Sequence, residues 1–304
     1  PQHPHRGFET VTYVRSGLID HSDSIGAAAR FGRGDVQWLT AGRGIVHSER
    51  TPPELRAAPH ALNGIQLWVA LPEADEAMEP SFVHHPASDF PPVSLGGAEL
   101  RVLAGEAYGV TSPVAVRSPM FYVDAILAPG GHLPMPDDYE ERAVYVASGE
   151  IACGEGRFGV GTMLVFARGE HAAITSERGA RVMLLGGAPL GPRHITWNFV
   201  SSQKETIERA VRDQLQQQER LAALGQLTAG IAHDFNNILA VVTLYTQMLA
   251  KSSSLSAEDR DRVGVINQQS LHAAHLIGQL LAFSRRSVIA HSPVLATARV
   301  STAS

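Results

Sequence analysis

The sequence predicts an all-β barrel or sandwich over roughly its first two hundred residues and an α-helical hairpin over its last hundred. Three observations predict it. Seventeen of the 18 prolines and 24 of the 28 glycines precede residue 205. Between these turn signals, short runs alternate as strands do. After residue 203 the apolar spacing changes to steps of three and four. Glycine and proline punctuate turns, so their loss marks the passage from turn-rich to helical chain.

The length, 304 residues, suggests about two domains. Apolar residues at 44% and charged residues at 18% describe a globular chain. A net charge of −5 gives no field for nucleic acid or an anionic membrane. The single cysteine, Cys153, excludes an internal disulfide framework and a cysteine-rich zinc site. It suits a reducing compartment, so a cytoplasmic location is expected. No apolar run reaches the length of a membrane span, and no signal peptide is legible. The chain begins at Pro1, inside what reads as a motif. An N-terminus cut short is therefore expected.

The elements follow in order. Phe8 to Val14 reads F-E-T-V-T-Y-V, rich in β-branched and aromatic residues. Val36–Leu39, Ile65–Leu71, Phe121–Leu127, Ala143–Ala147, Met163–Ala167 and Ala180–Leu185 repeat the pattern. Gly-Pro, Gly-Gly and Pro-Pro pairs separate them. Strands so short and numerous hide their edges best by closing into barrels or jelly rolls.

Polar residues gather at two places. One is His3-Pro4-His5, followed by Glu9; the other is His47-Ser48-Glu49. Residues i and i+2 of a strand face the same side, so each pair can point into one barrel. Three imidazoles and a carboxylate suit a first-row metal with an open position: iron, copper, nickel, manganese or zinc. The bland alternative is four polar groups in surface loops. His132, His171 and His194 are isolated and read as structural. His60, His84 and His85 read as residues of solvated loops.

Five stretches resemble the pirin family of the bicupins: His3–Thr12, Asp20–Gly26, Gly34–Glu49, Gly64–Pro72 and Arg193–Ser202. The resemblance covers about residues 1–205. It implies two jelly-roll barrels, here placed at 1–112 and 113–202, with one divalent metal, usually iron, in the first. The family's ligands fall on His3, His5, His47 and Glu49. Glu9 occupies the place of the usual cupin glutamate and stands second as carboxylate ligand. Some pirin-like proteins resemble quercetin 2,3-dioxygenases, in which the metal holds a flavonol and a carboxylate takes its proton. Glu49 would then be ligand and base. Other members are redox-responsive partners of regulators.

From Gln203 the period becomes 3.6. A seam runs Leu221, Leu224, Thr228, Ile231, Phe235, Ile238, Val242, Tyr245, Leu249. The serine-rich stretch 252–256 breaks it, and Ser256 is placed to cap a second helix. Val263, Ile266, Ser270, Ala273, Ile277, Leu280 and Ser284 repeat the step. Two helices alone cannot bury both stripes, so a homodimer forming a four-helix bundle is expected. His233 stands about 200° around the helix from Ile231, which puts it on the outer face. An exposed imidazole can accept a phosphoryl group on nitrogen; on an arbitrary helix it is usually only a solvated side chain. Lys204–Arg220 is polar and helix-forming, and predicts an unbroken helix into the hairpin.

Leu221–Val242 resembles the H-box of bacterial sensor histidine kinases, and Gln279–Arg286 resembles the end of their second helix. The resemblance covers about 210–287. It implies a dimerisation and phosphoacceptor hairpin over 203–287. His233 becomes the phosphorylated residue, Asp234 the acidic helper and Asn237 the polar residue of dephosphorylation. His272 and His275 read as surface residues. The family's ATP-binding motifs are absent, so an ATPase domain is expected in trans or further along the gene, with a response-regulator receiver as partner. Residues 288–304 are expected to be a disordered or truncated tail.

Two functions follow as expectations. One is a signalling protein with a metal-bearing sensor and a phosphoacceptor output. The other is a metal-dependent dioxygenase that the hairpin merely dimerises. A third reading, a misjoined gene, leaves two genuine modules without a joint role.

Overall fold

The computed structural model describes residues 2–251 and 256–289, without the side chains of 221–230, 233, 234 and 280–289. The first eight strands are β1 (His3–His5), β2 (Phe8–Ser16), β3 (Ile19–Asp23), β4 (Ala28–Phe31), β5 (Val36–Thr40), β6 (Ile45–Arg50), β7 (Asn63–Ala70) and β8 (Ser81–His85). They form two four-stranded antiparallel sheets, β1-β6-β3-β4 and β7-β2-β5-β8. Alternation along the strands splits inward from outward residues: on β6, Ile45 and His47 are buried while Val46 is 40% exposed.

The next strands are β9 (Val93–Leu95), β10 (Ala98–Ala107), β11 (Val110–Thr111), β12 (Met120–Leu127), β13 (Gly131–Pro134), β14 (Glu141–Cys153), β15 (Gly156–Gly159), β16 (Met163–Phe166), β17 (Ala173–Ser176) and β18 (Ala180–Gly187). They make one ten-stranded sheet, with β10 paired to β12 from Ala98 to Gly105. Strand pairing therefore carries 93–111 into the second barrel, ahead of the limit expected at 112. The reason is that Leu100 and Val102 share the second core with Val123, Ala125 and Val182. A short hairpin, β19 (His194–Thr196) and β20 (Phe199–Ser201), closes the β region.

The barrels share a second core cluster. Val11, Tyr13, Val36 and Trp38 of the first pack with Leu103, Tyr122 and Met183 of the second. At its edge Tyr13 Oη donates to Asp124 Oδ2 at 2.7 Å, and Arg181 Nε donates to Asp124 Oδ1 at 2.7 Å. Asp124 is 2% exposed, and burying it is tolerable only because both oxygens are occupied.

Two helices follow, α1 (Lys204–Ala250) and α2 (Ala257–Ile289). The expected continuous helix is observed: α1 begins at Lys204 and runs unbroken past position 233. Ser256 caps α2, accepting from the Asp259 N–H at 3.1 Å. The helical part, from Glu208 onward, and the β part, His3–Ile207, are separate compact units. No described helix is long and apolar enough to cross a membrane.

Candidate metal centre and phosphoacceptor hairpin

β1 is an edge strand, which is where a proline that lacks an N–H can sit; Pro4 lies opposite Val46. The prolyl residue separates His3 and His5 by two, so both rings turn to the same side. Register places His3 opposite His47 and His5 opposite Ile45. The three rings converge, with centroids 4.7 Å (His3–His5), 4.4 Å (His3–His47) and 4.7 Å (His5–His47) apart. One nitrogen from each lies within 4.8 Å of the others.

His5 and His47 are 2% and 1% exposed, and all four of their ring nitrogens lack a hydrogen-bond partner. A buried polar atom left unpaired costs about 1–3 kcal/mol. A neutral imidazole offers one lone pair, and one nitrogen of each ring faces the cluster, so an occupant that binds nitrogen lone pairs fits there. Burial, then the neighbouring imidazoles, lowers His5 to about 2 and His47 to about 3. The rings are held neutral, which is the form that ligates metal. Phe8 and Trp68 wall the site, with ring centroids 5.2 and 6.0 Å from His5.

Glu49 belongs to a second group. Its carboxylate clusters with His47 and His21, sharing His47 with the three-imidazole set. Thr12 Oγ1 donates to Glu49 Oε1 at 3.3 Å, and Gln66 Nε2 approaches the two oxygens at 3.4 and 3.3 Å. His21 escaped the sequence reading. It lies opposite Glu49 on β3, and the only signal for it was the D-H-S-D spacing that puts it beside Asp23. Both its nitrogens are engaged, Nε2 with Asp23 Oδ2 at 2.9 Å and Nδ1 with Gln37 Nε2 at 3.0 Å. It stacks on Phe82 at 4.1 Å. A ring so committed suits a brace for His47, although it also stands within ligand distance of His47 and Glu49.

Glu9 is not in the site. On β2 the period of two sets Phe8 and Thr12 toward the histidines, and Glu9 with Val11 and Tyr13 toward the other barrel. Glu9 is 1% exposed and accepts from Thr40 Oγ1 at 2.6 Å. Burial raises its carboxyl above the usual range. His84 and His85, expected in loops, lie on β8, where they contact Asp35 at 3.2 Å and Asp89 at 3.4 Å. His60, His132, His171 and His194 are exposed, as are His272 and His275 on α2.

Residues 1–69 match the family described as pirin, and residues 122–219 match the pirin C-terminal cupin domain. A pirin-like protein of Caulobacter vibrioides is 45% identical over 212 residues, covering 69% of this chain and 73% of that protein. The chain belongs to the pirin family. A solved quercetin 2,3-dioxygenase from Acinetobacter baumannii is similar to this pirin at a TM-score of 0.66 and 31% identity, covering 70% of this chain and 76% of that one. A bacterial pirin from Escherichia coli, solved in complex with nickel(II), shares the fold at a TM-score of 0.51 and 23% identity, covering 62% and 76%.

Residues 223–287 of this pirin match the His Kinase A phosphoacceptor domain. The C-terminal pirin match reaches residue 219, so the two families meet inside α1. Domains of the phosphoacceptor kind typically dimerise. In the single chain Ile231, Phe235, Ile238, Tyr245 and Leu249 of the expected seam are 48–60% exposed. Among the described residues of the two helices beyond the first turn of α1, the most buried are small or polar. Thr246 and Ser270 are each 6% exposed, and Thr246 Oγ1 donates to Asn267 Oδ1 at 3.2 Å. The described part of the apolar seam is thus largely uncovered in the single chain. Asn237 is exposed. The side chains of His233 and Asp234 lie outside the described residues.

Proposed function

We propose that this pirin is a signal-transduction protein, with the metal-binding barrel as input and the histidine hairpin as output. One observation carries it: a three-imidazole cluster, in which the buried rings of His5 and His47 have unpaired nitrogens, stands in the same chain as a phosphoacceptor domain. His3, His5 and His47 would hold one divalent ion, iron by family resemblance, with copper, nickel, manganese or zinc also suited to the donors. Such an ion supplies Lewis acidity and, for iron or copper, a change of oxidation state. Glu49, tethered by Thr12 and Gln66, is the fourth ligand or the proton acceptor. Phe8 and Trp68 keep bulk water from the rings.

At the output, a ring nitrogen of His233 attacks the γ-phosphorus of ATP and ADP leaves. The ATP is held by an ATPase domain acting in trans. Asp234 orients the ring, Asn237 serves the reverse loss of phosphate, and a receiver domain takes the phosphoryl group onward. The test is incubation of the chain with a kinase ATPase domain, ATP and a receiver. Acid-labile phosphate is expected on the chain and absent from His233→Gln; phosphate retained by that variant ends the proposal.

A second reading rests on the likeness to the Acinetobacter enzyme. Glu49 then takes the hydroxyl proton of a bound flavonol, and the hairpin only dimerises the chain. Quercetin turnover above that of free metal, lost in His47→Ala, would favour it.

A further inference from the structure

The two residues that follow the strand carrying two of the imidazoles are bonded to the segment just ahead of α1. Arg6 follows His5 and makes a parallel bridge to Phe199. The Arg6 N–H donates to Asn198 O at 3.3 Å, and the Val200 N–H donates to Arg6 O at 3.0 Å. Gly7 comes next at φ +80°, where a Cβ would lie 1.9 Å from Val200 O. Only glycine permits that approach.

The strand of the third imidazole reaches the same point. The Gly7 N–H donates to Gly42 O at 2.8 Å, and Arg6 Nη1 donates to Arg43 O at 2.9 Å. Gly42 and Arg43 form the turn that leads into β6 and His47. Beyond Val200 the chain is held by Glu76. The Ser202 N–H donates to Glu76 Oε1 at 2.7 Å and Ser201 Oγ donates to Glu76 Oε2 at 2.7 Å. Arg193 pairs with the same carboxylate at 3.1 Å. The carboxylate thus sits just ahead of Lys204, where the helix dipole favours a negative charge. Ile207, in the first turn, is 4% exposed. A small cavity of about 160 Å³, lined by Arg6, Gly7, Glu76, Val200 and Thr206, lies under this junction and leaves room for it to shift.

We propose that the Arg6–Gly7 contact with Val200 is the joint through which occupancy of the three-histidine site sets the stability of the first turn of α1. An ion drawing His3, His5 and His47 together fixes β1 against β6. That fixes Arg6 and Gly7, and their hydrogen bonds then hold 198–202 on the Glu76 anchor. The inference rests on the metal reading of the site and adds how its state leaves the barrel.

The test is amide hydrogen exchange of the full chain with and without saturating nickel(II). Exchange should slow at 45–50, the strand of the third ligand, and also at 198–206, by about tenfold or more at each. Gly7→Ala should keep the slowing at 45–50 and lose it at 198–206. Glu76→Gln, which leaves β1 untouched, should keep it at 198–200 and lose it at 202–206; this variant decides the matter if Gly7→Ala does not fold. Protection at 45–50 without any at 198–206 in the unmodified chain overturns the joint and leaves the metal reading standing. Slowing that persists across 198–206 in the variants also overturns it. Absence of protection everywhere, with no nickel retained, removes the metal reading and the joint with it.

Discussion

His3 and His47 stand directly opposite each other across the β1–β6 ladder, with ring centroids 4.4 Å apart. Cross-strand neighbours on one face are the closest side chains a sheet offers. This pair therefore fixes the width of the candidate site, and His5 closes it from the same strand. Replacing His47 by alanine should lower metal affinity by about a hundredfold or more, beyond what loss of a supporting group costs. Metal retained at full stoichiometry after dialysis, measured by elemental analysis, would remove His47 from the ligand set.

His21 should behave differently. Its nitrogens are already bonded to Asp23 and Gln37. His21→Ala leaves a cavity beside Phe82 and strands both partners, a loss of about 2–4 kcal/mol. The metal content should stay near that of the unmodified chain while the urea midpoint falls. Complete loss of metal with an unchanged midpoint would make His21 a ligand instead.

The acid stability of the metal-free chain follows from the two buried rings. Both are lowered, to about 2 and about 3, from 6.5 in the unfolded chain. Below pH 6.5 the unfolded chain takes up protons that the folded chain refuses, so stability falls as pH falls. Each ring contributes a slope of up to about 1.4 kcal/mol per pH unit, continuing down to the folded values. Unfolding followed from pH 7 to pH 4 should be steeper for the unmodified chain than for a His5→Gln, His47→Gln double variant. Equal slopes would mean the rings are not buried neutral.

Glu9 gives the opposite sign. Burial raises its folded value above that of the unfolded chain. The folded chain then binds the extra proton, and stability falls as pH rises through that range. Glu9→Gln should keep metal binding and hold or raise the melting temperature at pH 8. A loss of metal in this variant would return Glu9 to the site.

The exposed seam of α1 predicts the oligomeric state. Phe235 and Ile238 are 52% and 59% exposed in the single chain. Phe235→Glu with Ile238→Glu should convert a dimer into a species of half the mass in light scattering, with the β region still folded. A variant that stays dimeric would move the interface elsewhere.

Much of this was legible in the sequence, and for physical reasons. Strands such as Phe8–Ser16 are rich in β-branched and aromatic residues because both their faces are buried from Phe8 to Val14. The two-residue spacing of His3 with His5 and of His47 with Glu49 marks a shared side. The side itself was not legible for Glu9, because period-two counting gives the parity but not which parity faces the metal. Only the pairing of Thr12 with Gln66 and of Tyr13 with Ile65 resolves that. β10 was missed because Ala98–Ala107 includes Glu99, Arg101 and Gly105, which mute the apolar signal although Leu100 and Val102 are buried. His21 was missed because a brace and a ligand use the same residue type, and only its committed nitrogens separate them. In α1 the spacing gives an apolar stripe, yet spacing alone does not say whether it meets its own hairpin partner or a second chain.

The buried bridge between Tyr13 and Asp124 has a consequence for biogenesis. The two residues are 111 positions apart. At synthesis rates of about 5–20 residues per second, Tyr13 waits roughly 5–20 s for its acceptor to appear. Through that interval the nascent first barrel shows the ribosome exit and its surroundings the bare side of β2 and β5, with Val11 and Trp38 uncovered. Chaperone demand should therefore peak while residues 100–185 are being made, before any of α1 exists.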